Sequence, residues 1–180
     1  MAFGLRQVSL RQESMNEMTN KSIIGFSHHD HQRCVETALE QAESYCLANR
    51  LRFTTVRRRT LGILLESHSA MGAYDVLDRL NLEGLGSKPP IAYRALSFLL
   101  ESGFIHRIER LNAYVACSHP GSRHRPAFLI CSECGSVAEA SLSPATGALN
   151  QTAKQSGFTI QHTTMEAEGR CPDCLEGDGV

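Results

Sequence analysis

At 180 residues the chain has room for one large domain or two small ones, and its 42% apolar share is ordinary for a globular protein, which argues against general disorder. No apolar run approaches the roughly 20 residues needed to span a bilayer, and MAFGLRQVSL has neither the long apolar core nor the small-residue cleavage site of a secretion signal. The net charge of −1 conceals an asymmetry: residues 1–49 carry four basic and six acidic side chains, 50–125 twelve and six, and 126–180 two and seven.

A basic middle between acidic ends fits a polyanion held by the middle segment, or else a solvated basic face. A cytoplasmic location is expected, and there clustered thiols hold metal more often than they pair. Seven cysteines, an odd number, fit that better than a disulfide framework.

Residues 1–33 are polar and weakly patterned, and read as a flexible extension. Its cluster of His28, His29, His31 and Cys34 offers soft-metal ligands, but nothing there fixes a geometry. Met15 and Met18 leave a later translation start open. CVETALEQAESYCLAN at 34–49 carries a helix-period apolar stripe, with Cys46 as a small core residue. Thr54 or Thr55 caps a second helix running through Glu66. Arg57, Arg58 and Arg59 fall in its first turn, the unfavourable end for cations. Phosphate outside the chain would compensate them; so would solvent.

AYDVLDRL at 73–80 predicts a third helix, and the Gly-rich NLEGLGSK after it a connector. Pro89 and Pro90 open a fourth helix that stops at Gly103. Its apolar face is Ala92, Ala95, Leu96, Leu99 and Leu100, with Arg94 on the opposite side. The string is a helix-turn-helix pattern, in which Arg94 can reach guanine edges from the recognition helix. Beyond Gly103 the apolar period becomes two, around a turn at Arg110–Ala113. Three helices and a hairpin describe a winged helix.

Cys131-Ser-Glu-Cys134 and Cys171-Pro-Asp-Cys174 are two C-x₂-C pairs separated by residues 135–170. Each clamps one edge of a tetrahedral zinc, and the two together point to a closed structural Cys₄ site rather than redox chemistry. The strand-like AFLIC lies at the first pair. A helix of about 143–156 and the strand-like FTIQHTTME follow it, giving a small α+β unit that needs the metal as a staple. A second constellation arises in the hairpin. A turn centred between Leu111 and Asn112 pairs His106 with Cys117, whose Cβ atoms would then lie about 4.5–5.5 Å apart. With His124 from the loop and Glu139 beyond the first cysteine pair, these make a His₂CysGlu set suited to zinc. From spacing alone, His106 reads equally as a half-buried histidine and Cys117 as a buried thiol. His119, His162, His68 and Glu133 stay open as other ligands.

AYDVLDRL, KPP-x-x-YRAL-x-FLLE-x-GF-x-H at 88–106, YVAC at 114–117, H-x₆-C-x₂-CG at 124–135 and EAEGRC-x₂-C at 166–174 together resemble the ferric uptake regulator superfamily. The chain is most similar to its zinc-responsive branch, over roughly residues 36–175. The resemblance implies an N-terminal winged helix-turn-helix domain at 34–118, a hinge at 119–126, an α/β dimerisation domain at 127–175 and a tail at 176–180. It implies an α+β homodimer holding two zinc ions per subunit: Cys131, Cys134, Cys171 and Cys174 for the structural ion, His106, Cys117, His124 and Glu139 for the regulatory one.

The same resemblance assigns Tyr74 and Arg94 to DNA bases, Lys88 to the backbone, and keeps Arg57 of a family motif. The partner implied is double-stranded operator DNA, with no membrane and no small organic ligand. The function implied is zinc-responsive repression of zinc-uptake genes, not catalysis. Rival readings are a relative sensing iron, manganese or peroxide, a zinc-dependent enzyme, and a zinc-stapled interaction module. Two departures stand out: PPIAYRAL has Ile91 where the family usually reads PPTVYRAL with a threonine, and FTTVR at 53–57 lacks a usual proline. Both bear on operator preference.

Overall fold

The computed structural model describes residues 31–66, 69–120, 124, 126–141, 146–161 and 163–177. His28, His29, His68 and His162 lie outside them. Four helices lead: α1 (His31–Ala48), α2 (Thr55–Leu65), α3 (Ala73–Leu82) and α4 (Pro89–Glu101), with the short strand β1 (Met71–Gly72) before α3. β2 (Ile105–Ile108) and β3 (Ala113–Ala116) follow as a hairpin. Then come β4 (Pro126–Cys131), β5 (Val137–Ser141), α5 (Thr146–Gln155), β6 (Met165–Gly169) and α6 (Pro172–Glu176). The fold is α+β, with a winged helix in the N-terminal part and an α/β unit in the C-terminal part. No helix among the described residues is long and apolar enough to cross a membrane.

Local chemistry sets the helix ends. Thr54 accepts the Arg57 N–H at 3.4 Å, capping α2 where one of the two threonines was expected. Asp75 accepts the Gly72 N–H at 3.1 Å and closes the start of α3. Pro89 and Pro90 open α4, and Gly103, at φ +71°, ends it in the left-handed region. Gly86 is needed for space as well as conformation: a Cβ there would lie 2.4 Å from Ile91 Cδ1. Ile91 therefore folds back on the connector between α3 and α4.

The first-turn arginines of α2 are compensated inside the chain. Arg58 pairs with Glu43 at 2.5 Å, and Arg59 with Glu83 at 2.5 Å and Glu66 at 2.7 Å. Arg57 lies 3.6 Å over the Phe98 ring and donates to the Arg52 carbonyl. An external phosphate is not required to balance them.

Leu61, Ile63, Leu64, Val76, Leu80, Leu96, Leu99 and Ile105 fill the helical core, and Cys46 is buried among them. In the winged sheet the order is β1-β3-β2. The hairpin register differs from the one expected: His106 pairs with Val115, not Cys117, and Ile108 pairs with Ala113. The turn is Glu109–Asn112, with Asn112 at φ +47° supplying the left-handed corner, so its centre lies one residue earlier. That moves the pairing by two residues, which keeps every side chain on its face.

The second sheet has the order β5-β4-β6, antiparallel between β4 and β5, parallel between β4 and β6. The expected strand at 158–166 is mostly absent, since β6 begins only at Met165. β1 and β5 were not anticipated; both are short and carry little alternation. A second apolar cluster joins the two sheets. Ile108 and Val115 from the hairpin meet Phe128, Ile130 and Val137, with Ala70 packed against them.

Candidate metal centres

The winged sheet and the second sheet meet at four side chains. His106 projects from β2, Cys117 follows β3, His124 lies in the connecting loop and Glu139 stands in the middle of β5. Cys117 N–H donates to the Phe104 carbonyl at 2.9 Å, so Cys117 is diagonal to His106 on the hairpin. Diagonal neighbours on one face remain within reach of long side chains. One ligand atom from each of the four lies within 4.8 Å of every other.

His106 Nε2 is 3.5 Å from Glu139 Oε1, and Cys117 Sγ is 3.6 Å from His124 Nε2. A tetrahedral zinc with bonds of about 2.0–2.3 Å separates its ligands by about 3.3–3.8 Å. His124 Nε2 to Glu139 Oε1 is closer, a 2.5 Å hydrogen bond that an ion would replace. His106 Nε2 is buried and makes no hydrogen bond. A buried ring nitrogen left over, aimed at a carboxylate and near a thiol, is the chemistry of a metal cradle. The donor set fits zinc.

The surrounding groups tune these ligands. Burial works to raise the Glu139 carboxyl, but His106, the Ser118 N–H at 2.8 Å and His124 outweigh it and hold it at about 2. Burial pushes the Cys117 thiol up to about 12, helped by the Glu139 charge and only partly offset by the His119 N–H. A cation here therefore finds its carboxylate already ionised and displaces a proton from the thiol.

The second cluster is Cys131, Cys134, Cys171 and Cys174, again with all four ligand atoms within 4.8 Å of one another. Cys131 ends β4, and Gly135 at φ +71° turns the chain so that its N–H reaches the Cys131 carbonyl at 3.1 Å. Cys171 caps α6, which places Cys174 one turn later. The Cys171 N–H donates to Cys131 Sγ at 3.4 Å, and Cys134 Sγ is 3.6 Å from Cys171 Sγ. N–H groups of Cys134, Cys171 and Glu133 hold the Cys131 thiol down at about 6, while the neighbouring thiols, Cys171 first, raise Cys174. Such N–H-rich turns around converging sulfurs are what a thiolate–metal knuckle requires. Arg170 clasps both pairs, meeting Glu133 at 2.5 Å and donating to the Cys174 carbonyl at 2.7 Å. That ion pair occupies Glu133, and the His119 ring stands 6.1 Å from that of His124, outside the four-ligand set.

The exposed face of the helix-turn-helix carries Tyr74, Lys88 and Arg94. Tyr74 is 63% exposed and meets Tyr93 edge-on at 6.5 Å. Arg52, Thr54, Arg57, Ile91 and Arg94 line one open depression beside them. Tyr93 and Arg52 were not singled out from the sequence, although Tyr93 directly precedes Arg94.

A winged helix joined by a mixed-ligand cluster to a Cys₄-bearing α/β unit defines a metal-linked DNA-binding protein. The pattern of the ferric uptake regulator family matches residues 48–168, and the chain belongs to that family of regulators. It is similar to the zinc uptake regulation protein of Escherichia coli (strain K12), with 38% identity over 139 residues, 77% of this chain and 81% of the relative. The Shigella flexneri protein of the same name gives the same figures. A zinc uptake regulator solved with zinc and DNA matches 81% of this chain and 98% of its own, with TM-score 0.77 and 36% identity. Holo XcZur matches 78% and 98%, with TM-score 0.70 and 35% identity.

Proposed function

We propose that the protein is a zinc-responsive transcriptional repressor that binds operator DNA as a homodimer and represses genes of zinc uptake. The observation that carries this reading is the cluster of His106, Cys117, His124 and Glu139, drawn from the wing, the connecting loop and the second sheet. Its thiolate–imidazole–carboxylate mixture favours zinc over the iron-, manganese- and peroxide-sensing alternatives. One similar solved protein is a zinc uptake regulator complexed with zinc and DNA.

Each subunit takes two zinc ions. Cys131, Cys134, Cys171 and Cys174 hold a permanent one, which supplies a cross-link between β4 and α6. Glu139 and His124 hold the reversible one from the C-terminal side, His106 and Cys117 from the wing. Occupancy ties the wing to the second sheet and selects one orientation of the recognition helix α4. Winged helix 34–118, hinge 119–126 and dimerisation domain 127–175 then act as the working parts in the cytoplasm.

Dimerisation uses the face carrying Leu149 and Phe158, 49% and 67% exposed, beside Ile160, Thr163 and Thr164. Exposed apolar side chains grouped on one face suit burial against a second copy. Two recognition helices in the dimer read half-sites one DNA turn apart, with Arg94 and Tyr74 toward bases and Lys88 and Arg57 toward the backbone.

The test is an operator gel shift across buffered free zinc, iron and manganese. Binding that appears with zinc at the lowest free concentration supports the proposal. Metal-independent binding, or a response to iron alone, rejects it.

A further inference from the structure

Phe128 in β4 is flanked in one register row by Glu139 on β5 and Glu166 on β6. Directly paired strand residues share a face, so the three form a row across the sheet that receives the wing. Each meets a different part of the hairpin. Glu139 accepts the Ser118 N–H at the hairpin's root. Phe128 packs against the His106 ring, centroids 5.4 Å apart, in the cluster that includes Ile108 and Val115. Glu166 accepts the Glu109 N–H at 2.7 Å and the Arg110 N–H at 3.1 Å, at the hairpin's tip.

Two successive N–H groups converging on one anion form a backbone nest, and a carboxylate acceptor makes both bonds charge-assisted. Two residues further along β6, Glu168 pairs with Arg110 itself. Glu166 belongs to neither ligand cluster. The C-terminal sheet therefore grips the wing at both ends: at the root through a carboxylate that doubles as a candidate metal ligand, at the tip through one that does not.

Resting on the regulatory reading above, we infer that Glu166 is a metal-independent positioning residue that anchors the wing tip and raises the zinc affinity of the hinge site. The root alone would leave the short hairpin free to pivot, and an ion at the hinge would have to order the tip as well. With the tip already held, binding orders less of the chain. Since closure and zinc binding are linked, whatever favours the closed wing tightens zinc at the hinge, by up to the same factor. The Cys₄ site, at the far end of β4 from the hinge cluster, draws no ligand from the wing.

The test uses the full chain with Glu166→Ala, which removes both acceptors, and Glu166→Gln, which keeps one oxygen. The first readout is amide hydrogen exchange at Glu109 and Arg110 in zinc-depleted protein carrying only the Cys₄ ion. The anchor requires slow exchange in the unsubstituted chain, at least tenfold faster exchange in the alanine variant, and partial recovery in the glutamine variant. The second readout is competition titration with zinc and cobalt, whose absorption distinguishes a four-sulfur site from a mixed one. Hinge affinity should fall about tenfold in Glu166→Ala with the Cys₄ site unchanged. Equal exchange in all three proteins, or unchanged hinge affinity, overturns the inference. So does loss of both metal sites together in both variants, which would make Glu166 a folding residue. If the unsubstituted chain ignored zinc on operator DNA, the regulatory reading would fall while the exchange data still judged the anchor.

Discussion

Cys117 lies diagonally across the wing hairpin from His106, two pairs further toward the root than a face-to-face arrangement would put it. Ligand atoms of His124, from the loop, and Glu139, from the second sheet, lie within 4.8 Å of theirs.

Cys117→Ala should remove the thiolate while leaving the winged core and the Cys₄ cluster intact. Buried thiol and methyl differ little in volume, so the variant stays folded. Hinge zinc affinity should fall by more than the roughly 10–100-fold typical of losing an outer-shell group. Zinc-dependent operator binding then disappears over the range in which the unsubstituted protein switches. Chelator competition alongside gel shifts measures both; a retained response would remove Cys117 from the site.

Zinc affinity at the hinge should rise with pH. Free of metal, the Cys117 thiol stays protonated up to about 12 and Glu139 stays ionised down to about 2. Zinc must displace the thiol proton, and that becomes easier as pH rises, by about tenfold per unit for one proton released. Between about pH 6.5 and 8.5 competition titrations should follow that slope, whereas Glu139 adds none. A flat profile would mean that the bound sulfur is not a thiolate.

Much of this site could be read from the sequence because its ligands are chemically rare and their faces survive small errors. The two C-x₂-C pairs declare themselves by spacing. Spacing left the hinge set open against His119, His162, His68 and Glu133, and only the family resemblance singled it out; the two-residue register slip conserves the face of His106 and Cys117, although it changes their partners. What failed needed long-range knowledge. Arg58 finds Glu43 and Arg59 finds Glu83, 15 and 24 residues away, besides Glu66 at the end of its own helix. The strand-like composition of 158–166 placed a strand too early, since β6 begins only at Met165. The motif EAEGRC was visible, yet nothing local says that Glu166 meets a turn 56 and 57 residues earlier.

Phe128→Ala should destabilise the junction between the sheets more than either sheet alone. The side chain is 3% exposed and touches both the apolar cluster and the His106 ring. Removing such an aromatic costs about 3–5 kcal/mol through lost burial and a residual cavity. Thermal melting should drop, and hinge zinc affinity should fall with it, because the cradle loses its wall. Full stability in the variant would show that the sheets are held mainly elsewhere.

Cys171→Ser should be far more damaging than Cys117→Ala. Cys171 starts α6 and supplies the N–H that reaches Cys131 Sγ, while Gly169, two residues before it, accepts the Ser132 N–H at 2.8 Å. The metal knuckle thus closes the same edge that β6 occupies. In small zinc-stapled folds metal binding supplies folding free energy outright. The expected result is loss of bound zinc at this site, loss of a cooperative melt in the C-terminal part, and loss of dimer. Unchanged zinc content with a normal melt would demote the cluster to a redox pair.

Arg94→Ala tests the nucleic-acid face apart from both metal sites. Arg94 is exposed on α4, opposite the buried Ala92, Ala95, Leu96 and Leu99, so its truncation should leave stability and zinc content unchanged. An arginine that bonds guanine O6 and N7 in two places contributes about 1–3 kcal/mol of discrimination. Operator affinity at saturating zinc should drop accordingly, and one base position in each half-site should become permissive. Lys88→Ala makes the contrast: a backbone contact weakens all sequences alike and lowers the salt dependence of binding by about one charge. Equal loss on operator and random DNA for Arg94→Ala would assign that arginine to phosphate instead, and base reading would pass to Tyr74 and its neighbour Tyr93.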